Sequence, residues 1–290
     1  MPEFVKTKTE PAWCPGCGNF AIREAVLKAL NDSGLKKSEV VMVTGIGQAA
    51  KMPHYIDLNF FNGLHGRALP AATGIKLANP DLNVIVESGE GCNYGEGGNH
   101  FLAALRRNIG LTLLVHDNQI YGLTKGQASP TTELGQKTKS TPQGVMNHPF
   151  HPLTVAIATG AGYVARGFSG EIEHLANLIV EAMRYPGFAL VDILMPCISF
   201  NKVGTFQWYK SRAKKLPENY DPGDKMAALA MAEKWDDEIP IGLIYKRDPA
   251  AEEPLELEIA AARKMDKAVC LAGQPPDRAK LEAIMKARLE

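Results

Sequence analysis

Long apolar runs are absent from this 290-residue chain. No stretch approaches the ~18 consecutive apolar residues of a membrane-spanning helix, so no membrane association is expected. Residues Met1 to Trp13 include Lys6 and Lys8 but no apolar segment of the secretory kind, and a cytoplasmic location is expected. Net charge is missing too: 32 Lys and Arg balance 32 Asp and Glu. A general nucleic-acid binder needs a basic surplus to neutralise phosphates, so no nucleic-acid partner is expected. A chain without net charge is not kept apart by self-repulsion and is open to association with a partner. Cysteine is scarce and odd in number, five in all, which does not read as a disulfide framework. Internal repeats and low-complexity tracts are also lacking. What remains is ordinary for a domain with a sizeable core, 45% hydrophobic and 22% charged.

The first two-thirds alternates strand and helix. Val40–Val43, Val84–Val86, Leu111–Val115, Tyr163–Ala165 and Leu190–Leu194 are apolar runs without strict polar alternation, as in strands buried on both faces. Phe20–Leu30, Ala68–Ala78, Phe101–Leu105 and Ile172–Met183 read as helices between them. The alternation predicts an α/β fold with a doubly wound parallel sheet. The texture changes near residue 200. Phe206–Lys210 is aromatic and basic, Lys225–Trp235 reads as helix, Ile241–Tyr245 as a short strand, and the last 35 residues as amphipathic helix. Residues 1–200 are therefore expected to form the ligand-binding domain and 201–290 a C-terminal extension that contacts a partner chain.

Strands of a parallel sheet end at one edge, and ligands bind in the crevice beyond their carboxyl ends. Here the first strand runs into Thr44-Gly45-Ile46-Gly47-Gln48, the second into Glu87-Ser88-Gly89-Glu90-Gly91-Cys92, and the third into His116-Asp117-Asn118-Gln119-Ile120-Tyr121-Gly122. The first two loops are glycine-rich, so a ligand can approach their backbone. The second and third bring a carboxylate, Glu90, near an amide oxygen, Asn118. Oxygen ligands from neighbouring strand ends suit Mg²⁺, which fills its octahedron with phosphate oxygens and water. A helix opening near Gly97-Gly98 is expected to turn its amides toward a phosphate. The arrangement points to a magnesium-bridged diphosphate. His148-Pro149-Phe150-His151 lacks a regular metal spacing and is expected to be a loop over the site.

Cys14-Pro15-Gly16-Cys17 is the sharpest local motif. A C-x-x-C pair serves as half a zinc site, a redox dithiol or two ligands of an iron–sulfur cluster. No second pair of zinc ligands is visible, and no strand precedes the motif as thioredoxin-like chemistry requires. Cys197 follows the strand Leu190–Leu194, so it lies at the same edge as Glu90 and Asn118. Cys270 sits in an apolar setting and reads as a packed thiol.

Three stretches together resemble the β subunits of the 2-oxoacid:ferredoxin oxidoreductases, particularly the 2-oxoglutarate branch. They are Trp13-Cys14-Pro15-Gly16-Cys17-Gly18; Leu64-His65-Gly66-Arg67-Ala68 with Ala72–Lys76; and Leu105 through Asp117-Asn118-Gln119-Ile120-Tyr121-Gly122-Leu123-Thr124-Lys125-Gly126-Gln127 to Thr131. The resemblance implies the diphosphate-binding half of a thiamine diphosphate enzyme with Mg²⁺ and a nearby [4Fe-4S] cluster. An α subunit would supply the other half-site. The implied reaction is oxidative decarboxylation of a 2-oxoacid to acyl-coenzyme A and CO₂, with electrons passed to ferredoxin. By position, Glu90, Asn118 and the carbonyl of Ile120 would hold Mg²⁺. Ile46, Gly47, Gln48, His65, Gly91, Cys92, Gly122 and Leu123 would line the cofactor. Cys14, Cys17 and Cys197 would ligate the cluster. His65 would act catalytically, and Lys125 would sit near substrate or coenzyme A.

Three positions depart from the family pattern. Gln48 stands where a fourth cluster cysteine is usual, and glutamine is a poor iron ligand beside thiolates. A labile [4Fe-4S] cluster, a [3Fe-4S] cluster or none are the alternatives. Glu90 replaces an aspartate and Cys92 another. Gln48 and Glu90 favour a second reading, a degenerate non-redox thiamine diphosphate-binding subunit or scaffold. The intact stretch 105–131 favours the active oxidoreductase subunit, which is the main expectation.

Overall fold

The structure, a computed structural model, describes residues 2–251 and 253–262; Cys270 and most of the expected C-terminal helix lie outside them. Eight of the strands form one sheet: β1 Val40–Thr44, β2 Asn59–Asn62, β3 Asn83–Gly89, β4 Leu111–Asp117, β7 Tyr163–Phe168, β8 Ala189–Leu194, β9 Ala213–Lys215 and β10 Ile239–Lys246. Their order is β2-β1-β3-β4-β8-β7-β10-β9. Every pairing is parallel except β10 against β7. A small ladder of β5 (Ile120–Tyr121) and β6 (Gln127–Ala128) lies apart from it. The α/β doubly wound expectation holds, and each of the five strands read from sequence is present.

Period-two alternation explains why those strands looked continuously apolar. In β4, Leu111, Leu113 and Val115 pack on one face and Leu114 on the other. In β8, Ala189, Val191 and Ile193 face one layer while Leu190 faces the opposite one. Both faces are covered, so neither register position can be polar without a partner. On one face α1 (Asn19–Asp32) and α5 (Ile172–Arg184) bury Ile22, Val26, Leu30, Leu175 and Ile179. On the other, α2 (Ala68–Ala78), α3 (Gly98–Arg106), α4 (Pro152–Thr159) and α7 (Lys225–Glu233) bury Ala72, Phe101, Leu105, Ile157 and Ala228. Pro152 opens α4 and Gly160, at φ 104°, closes it. Asp224 caps α7 by accepting from the amides of Met226 and Ala227.

The segment after residue 200 contributes to the same sheet through β9 and β10. The aromatic–basic run becomes α6 (Phe206–Arg212), with Thr205 as its N-cap and Tyr209 fully buried. The last described helix, α8 (Leu255–Ala262), is pinned to the body by Glu256, which accepts from the Gly110 amide and lies 3.8 Å from Lys76 Nζ.

One polar pair is locked within the sheet. Arg166 on β7 stands in register with Asp192 on β8. Its guanidinium donates to the carbonyls of Ala232 and Pro240 and lies over the Trp235 ring. Burial raises the Asp192 carboxyl to about 6, against the opposing pull of the hydrogen bond from the Tyr94 hydroxyl and of Arg166. Arg166→Leu leaves that carboxylate without its countercharge and is expected to cost about 3 kcal/mol, measured by denaturant unfolding at neutral pH. A loss under about 1 kcal/mol would mean that Asp192 needs no countercharge.

Candidate functional site

β3 and β4 are hydrogen-bonded neighbours that end together at Gly89 and Asp117. The residues that follow them line one cleft, with about 670 Å³ of non-protein space, in the range of small-molecule sites. Ile46, Gly47, Gln48, His65, Glu90, Gly91, Cys92, Asn118, Ile120, Gly122 and Leu123 all line it. Lys125 does not. It is exposed in the turn beyond Leu123 and Thr124, at φ 74°. The chain has already turned outward there, because the Lys125 amide bonds back to the Gly122 carbonyl.

Glu90 is 2% exposed, and burial pushes its carboxyl up to about 7. Its Oε1 and the Oδ1 of Asn118 both accept from the amide of Ile120, each at 3.0 Å. Two oxygens from different strand ends thus meet at one point. Asp117 and Asp192 are buried nearby, and burial also raises the Asp117 carboxyl. One buried guanidinium, Arg166, acts on Asp192 and Asp117. A cation beside Glu90 would favour its ionised form against the burial that raises it. Among the described residues no group of three or more His, Cys, Asp or Glu converges on a single ion. A site built from one carboxylate, one amide oxygen and ligand phosphate has no need of such a group.

The backbone around Glu90 differs from the expectation. Gly91–Glu96 forms a π-helical turn with Glu90 as its N-cap, and it is this turn that opens onto the cleft. The Gly97-Gly98 amides lie a turn farther on. The Gly97 amide donates to the Cys92 carbonyl at 3.0 Å, and neither Gly97 nor Gly98 lines the cleft. Insertion of the π turn is what displaces them, and such turns concentrate at functional sites. Gly91 has no room for a side chain, because a Cβ there would run into the Tyr121 ring.

His65 Nε2 lies 2.9 Å from Glu96 Oε2, which accepts from it, while its buried Nδ1 has no hydrogen-bond partner among the described residues. The Cys92 thiol is fixed beneath the cleft, its Sγ accepting from the Gly66 amide. Sequence reasoning missed Asn19 and His116. Asn19, in the first turn of α1, bonds to His116 Nδ1 at 2.8 Å, and Glu87 bonds to its Nε2 at 2.9 Å. Both Asn19 and His116 line the cleft. A polar residue opening an apolar helix and a histidine inside a core strand were the available signals.

A second pocket adjoins the first. Cys14, Cys17 and Cys197 line it together with Trp13, Ser199 and Phe200. Asn19, Gln48, Asn118 and Gly122 line both pockets and form the wall between them. The three cysteines therefore line one pocket, with Gln48 in its wall and Cys92 lining the cleft on the other side. Gln48 Oε1 is buried without a hydrogen-bond partner among the described residues. The loop His148–His151 is not over the cleft. Pro149, Phe150 and His151 border a separate cavity behind the Asn118 loop, with Asp117, Gln119, Glu133, Arg166 and Trp235. The bond from the Phe150 amide to the Pro130 carbonyl draws the loop to that side. No described helix is long and apolar enough to cross a membrane.

Residues 39–193 match the family described as thiamine pyrophosphate enzyme, C-terminal TPP binding domain, and residues 197–258 match the family of the C-terminal part of the pyruvate ferredoxin oxidoreductase beta chain. A 2-oxoacid:ferredoxin oxidoreductase subunit beta from Saccharolobus solfataricus is 45% identical over 249 residues, covering 81% of this chain and 82% of the relative. A 2-oxoglutarate synthase subunit KorB from Archaeoglobus fulgidus is 38% identical over 226 residues, covering 78% and 83%. A solved 2-oxoglutarate:ferredoxin oxidoreductase from Magnetococcus marinus, with 2-oxoglutarate, coenzyme A and succinyl-CoA bound, superposes with a TM-score of 0.86 at 37% identity, over 96% of this chain and 94% of that one. With a thiamine pyrophosphate enzyme domain over more than half its length and these relatives matched over most of theirs, the chain belongs to the β subunits of the 2-oxoacid:ferredoxin oxidoreductases.

Proposed function

We propose that this chain supplies the diphosphate half of a thiamine diphosphate site, with Mg²⁺ held by Glu90, Asn118 and the Ile120 carbonyl. The observation that carries this reading is the meeting of the Glu90 and Asn118 oxygens on one amide at the mouth of two adjacent strands. Thiamine diphosphate, when bound, supplies the carbanion-stabilising centre for decarboxylating a 2-oxoacid. The protein's own residues position, shield and move protons around it. Gly47 and Gly91 let backbone approach the ligand, and Ile46 and Leu123 exclude water from it. His65, with Nε2 engaged by Glu96, holds or gives up a proton at Nδ1. Lys125, on the rim, offers a cation to the carboxylate of the 2-oxoacid or the phosphates of coenzyme A.

Cys14, Cys17 and Cys197 are proposed as thiolate ligands of an iron–sulfur cluster across the wall formed by Asn19, Gln48, Asn118 and Gly122. Each iron of such a cluster takes its own thiolate, so the cysteines line a pocket without meeting at one point. The donor set fits three positions, and Gln48 stands at the fourth. The cluster would take electrons singly and deliver them to ferredoxin. Calorimetry of thiamine diphosphate with and without Mg²⁺ tests the cofactor reading: binding should require the metal, and equal affinity in its absence would refute it.

The chain presents one half-site, and an α subunit is proposed to complete it. Isolated, the chain should not turn over any 2-oxoacid, and activity should appear when the second polypeptide is added. Turnover by the isolated chain, assayed with coenzyme A and an electron acceptor, would refute this.

A further inference from the structure

Gln119 lies between two residues of the cleft and faces away from it. Asn118 and Ile120 line the cleft, whereas Gln119 lines the cavity behind. It adopts φ 58°, in the left-handed region that a side chain with a Cβ rarely occupies. That turn lets the residues on either side of it point the same way. Nothing in the local sequence compels it, and the surrounding contacts hold it in place.

Every polar group of Gln119 is engaged. Its amide donates to Asp117 Oδ1 at 3.1 Å. Its carbonyl accepts from Thr132 Oγ1 at 2.6 Å. Nε2 donates to the Thr131 carbonyl at 2.8 Å and to Glu133 Oε1 at 3.0 Å. Oε1 accepts from the hydroxyl of Tyr209 at 3.1 Å. Glu133 is itself tied to Trp235 Nε1. Tyr209 is fully buried, on α6, and is part of the lining of neither pocket. It belongs to the segment that follows the thiamine pyrophosphate enzyme domain.

We infer that Gln119 and Tyr209 form a positioning pair through which helix α6 holds the Asn118–Ile120 loop in its cation-binding turn. The inference rests on the proposal that Glu90, Asn118 and Ile120 hold Mg²⁺. Neither residue touches cofactor; both act through the backbone between two ligands. A buried hydrogen bond can sustain a strained conformation only while the network around it is complete.

The test uses the two-subunit enzyme stripped of cofactor, with Mg²⁺ titrated at saturating thiamine diphosphate and followed by calorimetry. Tyr209→Phe removes one hydroxyl and nothing else, and should weaken apparent Mg²⁺ affinity by about 3- to 10-fold. Gln119→Gly keeps the left-handed turn accessible but releases all side-chain anchors, and should weaken it by about 10-fold or more. The double variant should be no weaker than Gln119→Gly alone, because both act through one contact. Lowered melting temperature with unchanged Mg²⁺ affinity in both variants would reduce the pair to a structural role and overturn the inference. Multiplicative losses in the double variant would overturn it as well. Should Gln119→Gly fail to fold, unchanged affinity in Tyr209→Phe suffices to reject it. Wild-type enzyme that binds thiamine diphosphate without Mg²⁺ would instead refute the metal reading on which the pair depends.

Discussion

Asn118→Leu is expected to abolish Mg²⁺-dependent thiamine diphosphate binding, a loss of at least about 100-fold, since even residues supporting a metal ligand are worth 10–100-fold. Leucine matches asparagine in size but offers no side-chain oxygen, so only Glu90 and the Ile120 carbonyl would face the cation. The fold should survive. The Ile120 amide keeps Glu90 Oε1 as an acceptor, and the Asn118 carbonyl keeps its bond from Asn201 Nδ2. Circular dichroism and melting temperature should therefore stay near wild type while calorimetry shows no binding. Undiminished affinity in a folded variant would remove Asn118 from the cofactor site.

The second large effect is expected at Gln48. Cys14, Cys17 and Cys197 line one pocket with it. Cys14 Sγ accepts from Ser199 Oγ at 3.1 Å. Burial pushes the Cys17 thiol up to about 11, so metal must displace a proton to bind there. An iron without a thiolate is held by weaker oxygen ligation and leaves readily on oxidation. The wild-type protein, purified without air and then oxidised, should show the electron paramagnetic resonance of a three-iron cluster. Gln48→Cys should remove that signal and lengthen the cluster's lifetime in air, because the wall already presents this side chain to the pocket. An air-stable four-iron cluster in wild type would show a fourth ligand elsewhere. Cys92 would be the first to replace, although its sulfur is engaged by the Gly66 amide across the wall. Absence of iron under strict anaerobiosis would reject the redox reading and leave the thiamine-binding scaffold.

Much of the site is legible in the sequence because it is built where strands stop. Three loops rich in glycine or polar residues follow apolar runs, and a parallel sheet gathers such ends at one edge. Glu90, Asn118 and Cys197 could be grouped on that ground alone, and the C-x-x-C motif and the family resemblance added Cys14 and Cys17. Lys125, placed near substrate or coenzyme A by resemblance alone, lies in the turn just beyond the cleft residues Leu123 and Thr124. The Gly97-Gly98 helix start is visible in the sequence, yet the π turn before it, which decides whose amides face the cleft, has no local signature. The loop at His148–His151 bends to the back cavity through a backbone bond to Pro130 that no motif announces.

By itself, then, the sequence determined the buried strands, the edge at which ligands gather and the chemistry offered there, because apolar periodicity and strand-ending glycines are local properties. Only the tertiary structure decided that Asn19 meets His116 across 97 residues, that Tyr209 reaches Gln119 across 90, and that β10 joins the sheet antiparallel to β7. Each of these depends on how distant segments pack, and a hydrogen bond between residues that far apart leaves no periodic trace in either segment.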